Sequence, residues 1–393
     1  MYTTEQLCED VIEEVLLRLP VKTLFRCKLL SKTWRSIITS RKFAKRHYCH
    51  SVAKTQSPGN KNPKFYFLLR IVNGDEPARF ITSISLTHDK QDTVHENIFS
   101  PYLESMYAWN CSPPLFSIGL GLYIVKFRPP SIALWNPATR EIKVLSRSPF
   151  YESGKDCYYF SFGQAEFMDD TLSYKVGFLS YRNEDWPYFK LELYDSSSDS
   201  WKVLSSDIGY DRSWHPDGIN LKRTLHLLSV PTELNAYIIT FDYSSEVFGR
   251  MEVPALPPIT GRYYDFNRSF LTLFHDRFLC LVVFWRTVQG DAMFFDVWVM
   301  SEYGVMKSWV MEGTIGPVKD NLIMLNYWRS TGGVFLEPRD KGSRICMYSC
   351  ASSPVKKLSV PSNTWENMFV FEHKESLVSI HGTSDETQTQ QLY

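Results

Sequence analysis

Apolar residues near the start of the chain recur at helical spacing, on one face of a predicted helix. They are Val11, Ile12, Val15, Leu16 and Leu19. Acidic residues occupy the first turn and the opposite face, where they complement the helix dipole. Pro20 then ends the helix and is well placed to begin another. The pattern predicts a short amphipathic helix with one face to bury.

Two further short helices follow this proline. The stretch 21–29 carries a second apolar stripe, and Ser31 is a natural N-cap for a third helix that contains Trp34 and Ile38. A helical module of this size buries little core by itself and leaves apolar side chains exposed. The first 50 residues are therefore interpreted as a module that docks onto a partner.

The periodicity changes between residues 60 and 383, where an apolar strand, a small polar turn and a second strand recur. The units are 131–145, 190–204, 237–251, 296–311 and 344–358, with a weaker one at 80–99. Their anchor residues lie 49, 59, 47, 58 and 49 residues apart, from Leu86 to Tyr348. Periods of this length, with about four strands each, predict a β-propeller.

The predicted fold is thus a small all-α module followed by an all-β domain, a six-bladed β-propeller closed by its C-terminal strand. The first unit, 64–99, is one strand short, and the apolar segment 367–380 lies beyond the sixth unit. We expect that segment to complete the first blade and leave no open edge. The predicted boundaries are a helical module at 1–50, a linker at 51–63, the propeller at 64–381 and a disordered tail at 382–393.

Charge divides the chain although its formal net charge is zero. Residues 1–54 hold 11 lysines and arginines against 5 acids, a balance of +6, and the remainder balances at −6. Such asymmetry is typical of a chain with separate partners. The acidic N-terminus does not resemble a secretory signal, and the longest apolar run is far shorter than a membrane helix. The eight scattered cysteines then favour reduced thiols in the cytoplasm, the nucleus or both.

Catalytic and cofactor motifs are missing from the sequence. It has no GxSxG, HExxH or Walker motif and no CxxC pair, so we expect no enzyme activity, no cofactor and no metal site. The basic run from Lys22 to Arg46 could suggest DNA binding. However, the apolar stripes leave little room for a polar recognition helix, so we expect no nucleic-acid partner and no membrane partner.

The first 48 residues resemble a plant F-box, whose pattern runs from Leu7 through LPVK at 19–22 and SKTW at 31–34 to His47. The family binds the Skp adaptor, which links it to a cullin and a RING subunit in an SCF E3 ubiquitin ligase. By this resemblance, a set of apolar residues would fill the adaptor surface: Leu7, Ile12, Val15, Leu16, Leu19, Pro20, Val21 and Leu24. The chain itself would be a non-catalytic subunit.

The β region resembles the plant F-box-associated domain, through LWNPATREIKVL, LELYDSSSDSW and VWVMSEYGV among other segments. S-locus F-box and S-locus F-box-like proteins are similar. The resemblance implies a substrate receptor that presents a protein target for ubiquitination and degradation, with secreted-type S-ribonucleases among the candidates. The negative balance of this region favours a basic target.

Aromatic loops mark the face on which a target would bind. The short turns from third to fourth strands share one face of a propeller, and the links between blades share the other face with the second-to-third loops. Residues expected to contact a target are Tyr107, Trp109, Tyr151, Glu184, Asp185, Trp186, Tyr210, Trp214, Tyr263 and Tyr264.

Two other functions remain open from the residues alone. Cys8 stands where the family has a proline, which leaves room for a scaffold or inhibitor that uses the propeller outside a ligase. A propeller hydrolase with a helical appendage is the third possibility, although no residue pair nominates a catalytic site.

Overall fold

Four helices form the N-terminal part of the computed structural model. They are α1 (Glu9–Leu16), α2 (Val21–Cys27), α3 (Lys32–Thr39) and α4 (Arg41–Gln56). The predicted N-cap is present, since the Ser31 hydroxyl accepts from the Trp34 backbone N–H at 3.5 Å. The fourth helix was not predicted, and it extends past residue 50 into the expected linker.

Only part of the chain is described by the structure. The described residues are 9–56, 65–71, 80–86, 94–98, 115–127, 131–150, 157–182, 190–204, 218–232, 235–257, 261–288, 290, 292–319, 322–328, 333–338, 345–349, 352–358 and 369–381.

The rest of the described chain is β-structure in six antiparallel sheets of four strands, here called blades 1 to 6. Blade 1 contains β24 (Phe369–His373), β1 (Phe65–Ile71), β2 (Phe80–Leu86) and β3 (Val94–Ile98). Blade 2 contains β4 (Leu115–Gly119), β5 (Leu122–Phe127), β6 (Ser131–Asn136) and β7 (Glu141–Val144). Blade 3 contains β8 (Cys157–Met168), β9 (Thr171–Arg182), β10 (Lys190–Asp195) and β11 (Ser200–Leu204).

The remaining blades follow the same order along the chain. Blade 4 contains β12 (Ile219–Leu221), β13 (Thr224–Thr232), β14 (Asn235–Asp242) and β15 (Val247–Glu252). Blade 5 contains β16 (Arg262–Phe274), β17 (Phe278–Thr287), β18 (Ala292–Met300) and β19 (Trp309–Lys319). Blade 6 contains β20 (Leu322–Trp328), β21 (Gly333–Pro338), β22 (Ile345–Ser349) and β23 (Ser352–Leu358).

The chain ends meet in blade 1, as predicted. Strand β24 pairs antiparallel with β1, so that Leu68 lies opposite Phe371 and Arg70 opposite Phe369. A strand from the C-terminus therefore supplies the strand that the N-terminal unit lacks. This pairing confirms the predicted class, a helical module followed by an all-β propeller whose edge is closed.

Shared apolar cores join blades 2 to 6 in succession. Phe162 of blade 3 packs against Phe241 of blade 4, with ring centroids 5.8 Å apart, and lies in a core shared with blade 2. A second core joins blades 4 and 5, and a third joins blade 5 to Leu336 of blade 6. Between blades 1 and 2, the Tyr123 hydroxyl lies 3.1 Å from Nδ1 of His373. The ring is thus a rigid scaffold for the loops at its two faces.

Candidate functional site

The helical module exposes several large apolar side chains. Val11 and Val15 on α1 are 46% and 55% exposed, and Leu29 and Leu30, which follow α2, are 87% and 73% exposed. Single exposed apolar residues are ordinary, but four in one small module favour an interaction surface. Only Val15 of these four is among the residues predicted to contact the adaptor. Val11 and Leu29 belong to the predicted apolar stripes, and Leu30 follows the second of them.

Three residues of the predicted adaptor surface are not available to a partner. Leu16, Val21 and Leu24 are at most 2% exposed and form the core of the module with Phe43 of α4. The apolar stripe that marks them is the buried face of α1 and α2, so the prediction is corrected at these positions. Ile12 and Leu19 are half-buried, Pro20 is exposed, and Leu7 lies outside the described residues.

Basic side chains are also exposed on the helical module. Arg26 in α2, Lys32 and Arg35 in α3, and Arg41 and Lys42 in α4 are all exposed. Two of the acids of α1 are held by ion pairs, since Arg46 contacts both Glu13 and Glu14. The described module therefore presents a surface that is apolar and cationic, which complements a partner surface that is apolar and acidic.

The module packs on one face of the ring. Nζ of Lys45 in α4 donates to the Asp169 carbonyl at 2.7 Å, in the turn between the first and second strands of blade 3. Ala138, in the turn between the third and fourth strands of blade 2, packs against the core of the module. Because strands alternate in direction, both turns lie on the same face of the ring. We call it the turn face, and the opposite one the loop face.

Two side chains of opposite charge are partly buried where the module meets the turn face. Burial lowers the pKa of Lys28 at the end of α2, and the charge of Glu141 in β7 opposes that shift. Burial likewise raises the pKa of the Glu141 carboxyl, against a hydrogen bond from the Ile380 backbone N–H at 2.7 Å. The charge of each side chain thus offsets part of the desolvation cost that burial imposes on the other.

Most predicted target residues lie outside the described part of the chain. This holds for Tyr107, Trp109, Tyr151, Glu184, Asp185, Trp186, Tyr210 and Trp214. Tyr263 and Tyr264 are found in strand β16, not in a loop as expected. Tyr264 is only 5% exposed and belongs to the core between blades 4 and 5, so its assignment to target contact is wrong.

The described end of blade 5 offers an aromatic and arginine-rich patch on the loop face. Tyr263 is exposed, and the Arg286 guanidinium lies 5.1 Å from its ring centroid. The Arg262 guanidinium lies 4.3 Å above Trp285, and an Arg262 Nη1 atom is 3.6 Å from the buried Asp296 carboxylate. Sequence reasoning missed both arginines, because nothing in a strand pattern shows that two of them stack on aromatic rings.

Within the described residues, no three His, Cys, Asp or Glu side chains converge as metal ligands would. The helices of that part of the chain are also too short or too polar to cross a bilayer.

Comparison with known families gives two matches that follow the two parts of the structure. Residues 5–46 match the F-box domain, and residues 84–388 match the F-box associated beta propeller domain. The second match covers most of the chain.

Known proteins share this organisation. The F-box/kelch-repeat protein At3g23880 of Arabidopsis thaliana is 26% identical over 365 residues, 90% of each chain. The F-box/kelch-repeat protein At3g17530 of the same plant is 26% identical over 269 residues, 66% of this chain and 62% of its own. Among solved structures, YCF48 bound to D1 peptide covers 80% of this chain and 91% of that one, at 10% identity and a TM-score of 0.38, too distant to bear on function.

Proposed function

Because this chain belongs to the F-box proteins with an F-box associated beta propeller domain, we propose that it is the substrate receptor of an SCF-type E3 ubiquitin ligase. In this role the helical module binds the Skp adaptor, which connects it to the cullin and RING subunits. The ring holds a protein target. The chain contributes proximity, since it raises the local concentration of target lysines near the charged conjugating enzyme. It acts in the cytoplasm, the nucleus or both.

The observation that carries this proposal is the separation of two surfaces. The module is attached to the turn face through Lys45 and Ala138, and its exposed apolar residues remain free for an adaptor. The contacts described for the module lie on the turn face, so we assign the loop face, on the other side of the ring, to the target. One molecule can therefore bind an adaptor and a target at the same time.

The adaptor surface that we propose is centred on Val11, Val15, Leu29 and Leu30, with Ile12, Leu19 and Pro20 beside it. Its basic surroundings favour an adaptor whose contact surface is acidic. Exposed apolar side chains that become buried on binding contribute about 25 cal/mol per Å² of apolar area. A charge placed in the centre of such an interface would have to be desolvated, so one or two substitutions should abolish binding.

A pull-down of the full chain with the Skp adaptor tests this surface. We expect Val15→Asp with Leu30→Asp to lower adaptor binding by about tenfold or more, since an unpaired charge would be buried. The matched control is Val247→Asp, which places the same charge on an exposed valine at the ring's edge and should bind as the wild type does. Full binding by the double variant at unchanged thermal stability would refute the proposed surface.

The target is proposed to be a protein that binds the loop face. The balance of −6 over residues 55–393 supports a basic target, and the similarity to S-locus proteins makes secreted-type S-ribonucleases a first class to test. The patch on blade 5 carries two arginines, so a basic target would place acidic or aromatic groups of its own against this part of the face. Affinity capture by the full chain under proteasome inhibition identifies the bound proteins. A set of captured proteins whose half-lives do not depend on this chain would favour a scaffold outside a ligase.

A further inference from the structure

The segment that follows the last strand runs between the helical module and the ring. We call residues 374–381 the strap. Its residues Val378 and Ile380 are at most 4% exposed and lie in the core shared by blades 2, 3 and 4. Leu377, between Ser376 and Val378, is 6% exposed and lies instead in the core of the helical module, with Leu16 and Leu24. Adjacent residues of one segment thus enter two different cores.

Hydrogen bonds fix the strap to the ring along its length. The buried Asn136 side chain donates through Nδ2 to the carbonyl oxygens of Ser376 at 3.1 Å and Val378 at 2.7 Å. The Ile380 backbone N–H donates to Glu141, and Nε2 of His381 lies 3.1 Å from the Ile142 carbonyl oxygen. These bonds leave the backbone on both sides of Leu377 no freedom to move independently of blade 2.

Close backbone packing holds the start of the strap. A Cβ atom on Gly121 would lie 2.5 Å from the Lys374 carbonyl oxygen and 2.7 Å from Cβ of Ser376. Gly121 has a φ of +73°, which also favours glycine. Nζ of Lys374 forms an ion pair with Asp276 of blade 5 at 2.6 Å. The strap is therefore part of the rigid ring, and Leu377 is the side chain that it extends into the module.

The length of the chain segment between the module and the ring does not by itself fix the orientation of the module. Residues 57–64 join α4 to β1, and a fully extended chain of that length reaches up to about 28 Å. Other described contacts also join the module to the ring. Nζ of the half-exposed Lys45 donates to the turn at Asp169, the charges of Lys28 and Glu141 attract each other, and Ala138 packs against the core of the module. None of these places a large apolar side chain in that core as Leu377 does.

We propose that Leu377 is the positioning residue that fixes the adaptor-binding module at one orientation relative to the ring. The fixed orientation follows from the contacts of Leu377 alone, whereas its effect on ubiquitin transfer rests on the proposed ligase function. A fixed orientation presents the same part of a bound target to the conjugating enzyme in every complex, which raises the effective concentration of those lysines. Loss of the Leu377 contact therefore changes where ubiquitin is transferred, while adaptor binding persists.

Hydrogen exchange of the full chain tests the geometry. We expect Leu377→Asp to speed amide exchange about tenfold or more in α2 and in the turn 137–140, because a charge cannot remain in the module's core. Strands β5 and β13 should keep their protection. Leu377→Ala should give the same pattern to a smaller extent. The control, Val247→Asp, should leave all four segments unchanged.

Unchanged exchange in α2 and the turn would overturn the proposal. It would also be overturned if both Leu377 variants exposed β5 and β13 as much as α2, since Leu377 would then be a residue of the ring's own core. The Ala variant decides the case if the Asp variant fails to fold.

A second experiment tests the effect of Leu377 on ubiquitin transfer and needs no known target. The chain is reconstituted with adaptor, cullin, RING subunit and conjugating enzyme, and ubiquitin transfer to its own lysines is measured. Wild type should be modified at a restricted set of ring lysines, and Leu377→Ala at a broader set, as mapped by mass spectrometry. An identical set would contradict the positioning role. If wild type binds no adaptor and receives no ubiquitin, the proposed function fails, whereas the exchange experiment still decides the role of Leu377.

Discussion

At the scale of single residues, the position that begins the turn to the fourth strand differs in the blade that binds the strap. Asp195 in blade 3 and Asp242 in blade 4 begin the turn to the fourth strand, where their carboxylates accept from backbone N–H groups at 2.7–2.9 Å. Asn136 has the corresponding place in blade 2, and its Oδ1 accepts from the Ala138 N–H at 3.0 Å. The amide replaces the carboxylate here because its Nδ2 must also donate to the strap.

Exchange of amide and carboxylate at these positions should have unequal effects. Asn136→Asp removes the donor and places a buried carboxylate against two carbonyl oxygens, so we expect a loss of about 2–4 kcal/mol in unfolding free energy at pH 7. Asp242→Asn is the control, since its turn needs only an acceptor, and it should cost much less. Urea denaturation at pH 7 measures both. Equal losses would show that the strap does not depend on the Asn136 amide.

Buried histidines make the stability of the ring depend on pH. Burial lowers the pKa of His226 and of His373 to about 4, from 6.5 for an exposed histidine. Nε2 of His226 lies 2.9 Å from the Tyr303 hydroxyl, and its Nδ1 lies 3.3 Å from the Ile219 carbonyl, so the neutral ring is satisfied on both sides. Between pH 6.5 and about 4, these histidines bind protons in the unfolded chain but stay neutral in the folded chain. The stability that they contribute is therefore fully present above pH 6.5 and is lost as the pH falls towards 4.

The histidine effect can be isolated with one substitution. His226→Gln should destabilise the protein at pH 7.5, but the difference from wild type should shrink at pH 5, because only the wild type loses stability by protonation at this site. A pKa difference is worth about 1.4 kcal/mol per unit, so the loss per histidine is on the order of 3 to 4 kcal/mol when the site is fully protonated. Urea midpoints at the two pH values measure it. A difference that stays constant would contradict the pH dependence assigned to His226.

At the scale of elements, the pairing of β24 with β1 is the contact that joins the two ends of the chain. The sequence predicts it because the first unit is a strand short and an unassigned apolar segment follows the sixth. The strand pairs on either side of the short polar turns are predicted equally well, since alternating apolar residues and polar turns are local signals. The turn at Asp195 and the strand pair around it are an example.

Removal of the closing strand should disrupt the whole ring. A chain that ends at residue 366 lacks both β24 and the strap, so we expect it to lose cooperative thermal unfolding and to aggregate through the exposed edge of β1. A chain that ends at His381 keeps both and should melt as the full chain does. A soluble shorter chain with one cooperative transition would contradict the role given to β24.

Elements that depend on contacts distant in sequence could not be predicted. In α4, buried Phe43, Ala44 and His47 stand among so many basic residues that no apolar stripe is visible. The sequence cannot show whether Leu16 is covered by its own module or by a partner. An apolar stripe indicates that a helix face is covered, but it does not indicate what covers it. The role of Leu377 depends on the folded positions of α2 and blade 2, which no local pattern contains.

At the scale of the whole molecule, the helical module lies on the turn face of the ring, opposite the loop face that we assign to the target. The module contacts turns of blades 2 and 3 through Ala138 and Asp169, and the strap joins it to the same side. A target bound to the loop face would meet neither the module nor the adaptor. The arrangement suits a receptor that holds its target and its ligase at once, and the membership in the F-box family agrees with it.

The most direct test of this account compares the fate of proteins captured by the loop face in cells that express two versions of the full chain. One is the wild type and the other carries Val15→Asp with Leu30→Asp, which leave the ring untouched. We predict that both versions capture the same proteins, and that those proteins gain ubiquitin and a shorter half-life only with the wild type. Equal ubiquitination and equal half-lives with both versions would contradict the claim that the helical module links a target on the ring to a ubiquitin ligase.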